Sequence, residues 1–403
     1  MEQPLSWHGP CLLDGVRVLD LTRVLAGPYA SMVLADLGAE VIKVELPGTG
    51  DEARGFGPFQ NGESAYFASV NRGKKSATID LRQARGQDLA RRLAGECDVL
   101  IENFRPGSMD RFGLGYADLH ALYPRLVYAS ISGFGQTGPY AQRPAYDVLI
   151  QAMGGLASIT GQPDGPPVRV GSSIADLSAA LFGAIGILAA LERARRTGEG
   201  QQVDISMLDC QVALLENALA RYAVSGEVPR PLGSRHPAIT PFQFFAARDG
   251  HIVIAAGNDR LWRQLCDALG LGVLADDPRF ANNALRTEHH AALEPILERT
   301  LAEKTVDEWC TILAAAGVPS GPLCDVGQVF GDEQVAARNM IVELEHPVAG
   351  RQTVPNSPLR FSATPVELRR PAPLLGQHTE EVLSGILGLT EGEMEGLRDG
   401  GVI

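Results

Sequence analysis

One carboxylate, Asp176, stands directly before a long apolar run of small residues in V-R-V-G-S-S-I-A-D-L-S-A-A-L-F-G-A-I-G-I-L-A-A-L (168–191). An acid in that place does one of two things. It caps a buried helix by accepting hydrogen bonds from the first unpaired N–H groups, or it serves as a nucleophile at the helix tip, where the dipole favours its ionised form. Ala179, Ala180, Gly183 and Gly186 would let other elements approach that helix closely.

Two further segments carry chemistry. N-R-G-K-K-S-A (71–77) packs Arg72, Lys74 and Lys75 around a glycine, a pattern that suits phosphate and equally suits a solvated basic turn. E-N-F-R-P-G-S-M-D-R-F-G (102–113) offers an amide (Asn103), an aromatic ring (Phe104) and two guanidiniums (Arg105, Arg111). Either a purine stacks on Phe104 or on an arginine plane and phosphates pair with Arg111, or the segment is a polar β-α loop with one buried Phe. His236, before P-A-I-T-P-F, sits in a loop and is either solvated or within reach of a substrate carboxylate.

Other chemistries lack their residues. The eight histidines are scattered and G-x-S-x-G is missing. The six cysteines lie far apart with no C-x-x-C or Cys/His metal spacing, which fits a reducing cytosol better than a disulfide framework. The first turn, L-T-R-V-L-A-G-P, has one glycine rather than G-x-G-x-x-G, and Gly73-Lys74 is followed by Lys75 rather than Ser or Thr. Nicotinamide and Walker-type ATP binding are therefore disfavoured.

The elements that must position these residues read as an α/β chain. V-R-V-L-D-L (16–21), the helix P-Y-A-S-M-V-L-A-D-L (28–37) and V-I-K-V-E (41–45) form a βαβ unit, which implies a parallel sheet. The pattern predicts a helix near 86–95, a strand at 98–102, a helix near 115–122 and a strand at 126–131. It then predicts helices over 146–157 and 177–195, a strand at 202–206 and a helix over 207–224. The loop 102–113 follows a strand's C-terminal end, where open α/β sheets bind ligands. G-E-V-P-R-P-L-G-S-R-H-P (226–237) reads as a linker. Strands 242–247 and 251–256 around Asp249-Gly250 signal a hairpin, amphipathic helices cover about 260–316, and Pro319–Pro322 marks a joint.

With 403 residues, 45% of them hydrophobic and 21% charged, the chain buries a large core, and its net charge of −13 argues against nonspecific nucleic-acid binding. The run Leu177–Leu191 falls short of the roughly 20 residues of a membrane span, and the N-terminus has no basic and apolar leader pattern. The expectation is a soluble cytoplasmic protein with no membrane and no nucleic-acid partner.

Taken together, several segments resemble the family III CoA-transferases, the group that includes formyl-CoA transferase and carnitine CoA-transferase. They are L-D-G-V-R-V-L-D-L-T-R-V-L-A-G-P (13–28), L-G-A-E-V-I-K-V-E (37–45), N-R-G-K-K-S (71–76), E-N-F-R-P-G-S-M-D-R-F-G (102–113), G-S-S-I-A-D-L (171–177), T-G-E-G-Q-Q-V-D-I-S-M (197–207) and A-A-G-N-D-R-L-W (255–262). The resemblance implies a large Rossmann-like domain, begun by residues 1–225 and completed by 326–403. It also implies a smaller α+β domain at 226–325 and an interlocked homodimer.

It further implies that Asp176 is the nucleophile, forming mixed anhydrides and an aspartyl-CoA thioester. Coenzyme A then enters as substrate, with no tightly bound cofactor and no metal. The contacts carried over are Arg23, Leu25 and Ala26 in the first turn and Leu46 after the second strand. Ile79 to Arg82 would line the adenine and phosphate region, with Lys74 and Lys75 as further cations. Asn103, Phe104, Arg105 and Arg111 come from the loop above; Tyr146 and Met207 flank the thiol end, and Gly257-Asn258 closes over the acyl group. Arg23, His236 and Asn258 would hold a distal carboxylate.

The chain departs from the family pattern in places. Oxalate-using members carry glutamine where Leu25 stands, their lid is nearly all glycine where this chain has A-A-G-N-D, and lysines of some members appear as Arg82 and Pro144. H-P-A-I-T-P-F and A-G-N-D-R resemble members exchanging CoA between succinyl-CoA and itaconate, citramalate, mesaconate, malate or glutarate. The rival on a similar fold, α-methylacyl-CoA racemase, needs a His-Asp step where this chain has Tyr146-Asp147.

Overall fold

In the computed structural model, which describes residues 11–368 and 370–403, the chain forms two compact units. The first runs to Leu156 and takes in Val170–Leu219 and Gln334–Ile403; the second is Ala157–Arg169 with Ala220–Glu333. The division thus differs from the one expected at residue 226. The apolar stretch 207–224 is not one helix, because Glu216 takes φ +29° and breaks it. Residues 157–169 belong to the smaller unit, where Gly233 N–H donates to Gly161 O at 2.9 Å.

The first unit is built on six parallel strands: β1 (Arg17–Asp20), β2 (Glu40–Glu45), β3 (Lys75–Thr78), β4 (Val99–Glu102), β5 (Val127–Ser132) and β6 (Gln202–Ser206). Their order, β3-β2-β1-β4-β5-β6, reverses direction between β1 and β4. In open sheets of this kind the loops at that reversal leave a crevice at the carboxyl ends of the strands. Successive residues face opposite sides of the pleat. Val18, Val41 and Val99 therefore enter one apolar cluster, and Leu19, Ile42 and Leu100 enter the other.

Helices α1 (Ala26–Asp36), α2 (Asp147–Met153), α3 (Ile174–Thr197) and α4 (Met207–Leu214) belong to the first cluster's side. Helix α2 stops at Gly154-Gly155, short of the expected 157. Helix α3 is long and apolar enough to cross a membrane by length and composition, but Ala179, Ala180, Ile187 and Ala190 are buried in the protein core. Gly183 is where α3 meets the sheet and α1: a Cβ there would lie 3.2 Å from Ile131 and 3.9 Å from Ala30. The second cluster is covered by Ala84–Gly95, Tyr116–Leu122 and the C-terminal helices Thr379–Leu387 and Glu391–Asp399.

The second unit holds an antiparallel sheet of β7 (Phe242–Ala246), β8 (His251–Ala255) and β9 (Ser320–Pro322), in the order β9-β8-β7. The expected joint at 319–322 is in fact the edge strand β9, a place that tolerates proline because one side of an edge needs no ladder donor. Helices Asp259–Ala268, His290–Leu301 and Val306–Ala315 pack around Phe245, Ile254, Trp262 and Trp309.

Candidate active site

The first unit carries two cavities at the carboxyl ends of its strands. One, of about 230 Å³, is bounded by the loop after β1 (Arg23 to Ala26), the loop after β4 (Asn103 to Pro106), Gly133, Tyr146, Met207 and Asp176. The other, of about 440 Å³ and mostly apolar, is bounded by Leu46, Gly50, Ile79, Leu81 and Arg82. Arg23, Glu52 and Phe104 line both, so the two are neighbours across the β1/β4 reversal. Reciprocal hydrogen bonds join the loops there: Arg23 N–H donates to Asn103 Oδ1 at 2.9 Å, and Asn103 Nδ2 donates to Arg23 O at 2.8 Å.

Asp176 lies in the first turn of α3, half-buried, and its carboxyl makes no hydrogen bond or ion pair among the described residues. It does not cap the helix. Ser173 occupies the N-cap position, and the N–H of Ala175 donates instead to Asp147 Oδ1 at 2.9 Å. Asp147, buried at the start of α2, also accepts from Gln151 Nε2 at 2.7 Å, while Gln151 Oε1 accepts from Val170 N–H at 2.9 Å. Helix α2 thus ties down residues 170–175 and leaves the neighbouring carboxyl of Asp176 unpaired. Burial, and then the like charge of Asp147, raise Asp176 to about 7. Burial and Asp147 work against the expectation that the helix dipole keeps this group ionised. Asp147 and Gln151 were missed by sequence reading, and their only signal was Asp and Gln four apart beside Tyr146.

Arg23 reaches Glu52 at 2.9 Å and lies 4.9 Å over the ring of Phe104, which in turn meets Phe112 edge-on at 6.2 Å. Arg105 is exposed beside the first cavity, and Tyr146 is 71% exposed. Arg143, which the sequence reading did not single out, lies in the same wall with its guanidinium 3.8 Å over Tyr140. Arg111 is held by Ser108 Oγ at 3.0 Å and lines neither cavity. Arg82 borders the second cavity and is pre-oriented by Asp80 at 2.8 and 2.9 Å.

The basic turn 71–77 is not the cradle it resembled. Lys74 is buried, with its Nζ on Asp20 at 3.0 Å, Asn71 Oδ1 at 2.7 Å and Pro28 O at 2.9 Å, and burial lowers it to about 8 against the pull of Asp20. Lys75 bridges Glu40 and Glu381 at 2.6 and 2.8 Å. Neither lysine lines the two cavities, because the turn spends its charge inside the fold.

In the second unit, His236 Nδ1 accepts from Ala238 N–H at 3.1 Å and its ring lies 5.4 Å from Phe242. Asn258 caps the helix Asp259–Ala268, accepting from Leu261 N–H at 2.9 Å, and the space a Cβ at Gly257 would need is open. A buried guanidinium links the segments that carry these residues: Arg286 donates to Thr240 O at 2.8 Å and to Asp259 Oδ1 at 2.7 Å. Among the described residues no cluster of His, Cys, Asp and Glu could hold a metal ion.

The family description "CoA-transferase family III" matches residues 13–379. The chain is 43% identical over 392 residues to the succinyl-CoA:glutarate CoA-transferase of Mus musculus, covering 97% of this chain and 90% of that one. It is 44% identical over 376 residues to the acetyl-CoA:oxalate CoA-transferase of Acetobacter aceti, covering 93% and 95%. A crystal structure of a CAIB/BAIF family protein from Brucella suis superposes with a TM-score of 0.84 at 42% identity, over 94% of this chain and all of that one. The chain belongs to CoA-transferase family III and is an enzyme that transfers coenzyme A.

Proposed function

We propose that the enzyme moves CoA from succinyl-CoA to a small dicarboxylic acid through covalent intermediates on Asp176. The observation that carries this reading is the unpartnered carboxyl of Asp176 in the wall of a cavity that adjoins a second, larger one. An oxygen of ionised Asp176 attacks the thioester carbonyl; the C–S bond breaks, and CoA leaves as thiolate from a mixed anhydride. The thiolate attacks the aspartyl carbonyl, the C–O bond breaks and the donor acid departs, leaving an aspartyl-CoA thioester. The acceptor carboxylate attacks that thioester and expels the thiolate again. Attack on the acceptor's carbonyl then releases acyl-CoA and restores Asp176. Each exchange replaces one activated acyl bond by another, the general advantage of covalent catalysis.

In this reading the second cavity takes the nucleotide end, with Ile79 and Arg82 beside it and Arg23 and Phe104 between the two ends. Relatives named for glutarate, D-citramalate and mesaconate, each using succinyl-CoA and 40–43% identical, support that acceptor class. A panel of dicarboxylic acids with succinyl-CoA, read by acyl-CoA chromatography, tests it; turnover confined to monocarboxylic acids would sink it. Intact-mass detection of a hydroxylamine-sensitive CoA adduct on Asp176 tests the nucleophile.

The exposed face of α3, with Leu181, Phe182 and Ile185 at 49, 43 and 62%, supports a homodimer. Light scattering of the purified protein checks it, and a monomer at micromolar concentration would overturn it.

A further inference from the structure

The loop after β1 is held in an unusual way. Thr22 N–H donates to Asp20 Oδ1 at 2.9 Å, and Thr22 O accepts from Lys43 Nζ at 2.7 Å. Asn103 takes both backbone groups of Arg23 at 2.9 and 2.8 Å. Val24 N–H then donates to Asp51 at 3.0 Å. Every backbone polar group from Thr22 N to Val24 N is thus pinned by a side chain. Such over-determination is what a conformation needs when the chain alone would not keep it.

Val24 is that conformation. Its φ of +68° lies in the left-handed region, which a β-branched residue avoids because its branched Cβ crowds the backbone. The helix start packs hard beneath it: a Cβ on Gly27 would lie 2.4 Å from Thr22 Cβ, so only glycine fits. The groups below are a buried ion pair, Lys43 Nζ to Asp51 Oδ2 at 2.8 Å with side chains 0 and 1% exposed. Well-packed apolar residues of similar volume often stabilise a fold as well as a buried pair does. An ionic pair here supplies instead two fixed, oppositely directed anchors: a donor for Thr22 O and an acceptor for Val24 N–H.

We infer that Lys43 and Asp51 are positioning residues, which hold Val24 in its left-handed turn and so fix Arg23 and Leu25 against the cavity of Asp176. Arg23, Val24, Leu25 and Ala26 all line that cavity. Near-attack geometry is lost over shifts of about 1 Å, so a loop released at Val24 slows the first acyl transfer. The inference rests on CoA transfer through Asp176, and the test separates the two.

The test follows the rate at which the whole enzyme forms the Asp176–CoA adduct from succinyl-CoA, by quenched intact-mass measurement, beside melting temperature. Val24→Gly takes the positive φ freely and leaves both anchors in place, so its melting temperature holds or rises and its adduct rate stays within about twofold of wild type. The apolar pair Lys43→Met/Asp51→Leu, of the kind that keeps a fold stable, lowers the adduct rate about 10- to 100-fold, with kcat falling more than KM rises. Adding Val24→Gly to that pair relieves the strain and recovers most of the rate. A wild-type rate in the apolar pair, or the same loss with and without Val24→Gly, overturns the positioning role. Absence of any adduct in the wild type overturns the Asp176 reading itself.

Discussion

Two aspartates at the same end of the sheet show opposite solutions to burial. Asp20, at the end of β1, is fully buried among Lys74, Lys43, Ser31 and Thr22; burial pushes it up, but the two lysines and two hydroxyls together hold it at about 2. Asp176, at the tip of α3, has no such partners and a second carboxylate beside it, and rises to about 7. The residue type is identical, and its surroundings set the role: one is a charged strut, the other a group whose charge nothing among the described residues satisfies. Under the function proposed above, removing Asp176 is expected to break chemistry and removing Asp20 the fold. Asp176→Ala is expected to lower turnover about 10⁴-fold or more with the melting temperature kept; residual turnover within tenfold of wild type would erase the contrast. Asp20→Asn leaves Lys74 buried against one partner fewer and is expected to cost about 3–5 kcal/mol in urea unfolding. A loss well under 1 kcal/mol would show that the strut carries little.

The pH response sharpens the same comparison. A carboxyl whose folded value lies above its unfolded value stabilises the fold at acid pH. For Asp176 that stabilisation is complete below about pH 4 and is lost as pH rises through about 7. In the proposed mechanism adduct formation needs the ionised form, so its rate is expected to climb over the range in which this contribution to stability falls. Asp176→Asn is expected to gain melting temperature relative to wild type at pH 8 and not at pH 5. Asp147→Asn keeps an acceptor for Ala175 N–H and removes the like charge. The midpoint of the adduct-rate profile then moves below 7 but not to an ordinary carboxylate value, because burial is the larger cause. An unmoved midpoint would mean that Asp147 only caps.

The sequence showed the parts of this contrast unevenly. Five of the six parallel strands were legible as short apolar or alternating runs between glycine and helix signals, and the loops 23–26 and 102–106 could be placed at strand ends; β3, K-S-A-T at Lys75–Thr78, is too polar to read as a strand and looked like part of a basic turn. Asp176 could be singled out, but not its surroundings: Asp147 is 29 positions away and Gln151 25, and no local pattern says that they tie down the turn before it. Lys74 was misread for the same reason. Its partners Asp20 and Pro28 come from strands and turns some fifty residues earlier, so a basic turn and a buried strut look alike in one dimension. Lys43, alternating in an apolar strand, reads as an interruption until Asp51 is seen to face it.

The smallest expected effect lies at the rim, where charges are neither buried like Asp20 nor starved like Asp176. Arg23 and Glu52 pair at 2.9 Å with side chains 47 and 53% exposed. Exposed pairs of this kind contribute about 0.2–1 kcal/mol, so Glu52→Gln is expected to leave the melting temperature within about 2 °C of wild type. In the proposed reading Glu52 would nevertheless compete with an anionic ligand for Arg23, which borders both cavities. Its removal is expected to tighten free CoA, measured as a dead-end inhibitor, by about two- to fivefold at low salt. Near 1 M salt, where screening acts over about 3 Å, the gain disappears. A salt-independent change would point to altered loop geometry. No change at any salt would place Arg23 outside the path of the ligand's phosphates and leave Arg105, Arg143 and Arg82 to bear that charge.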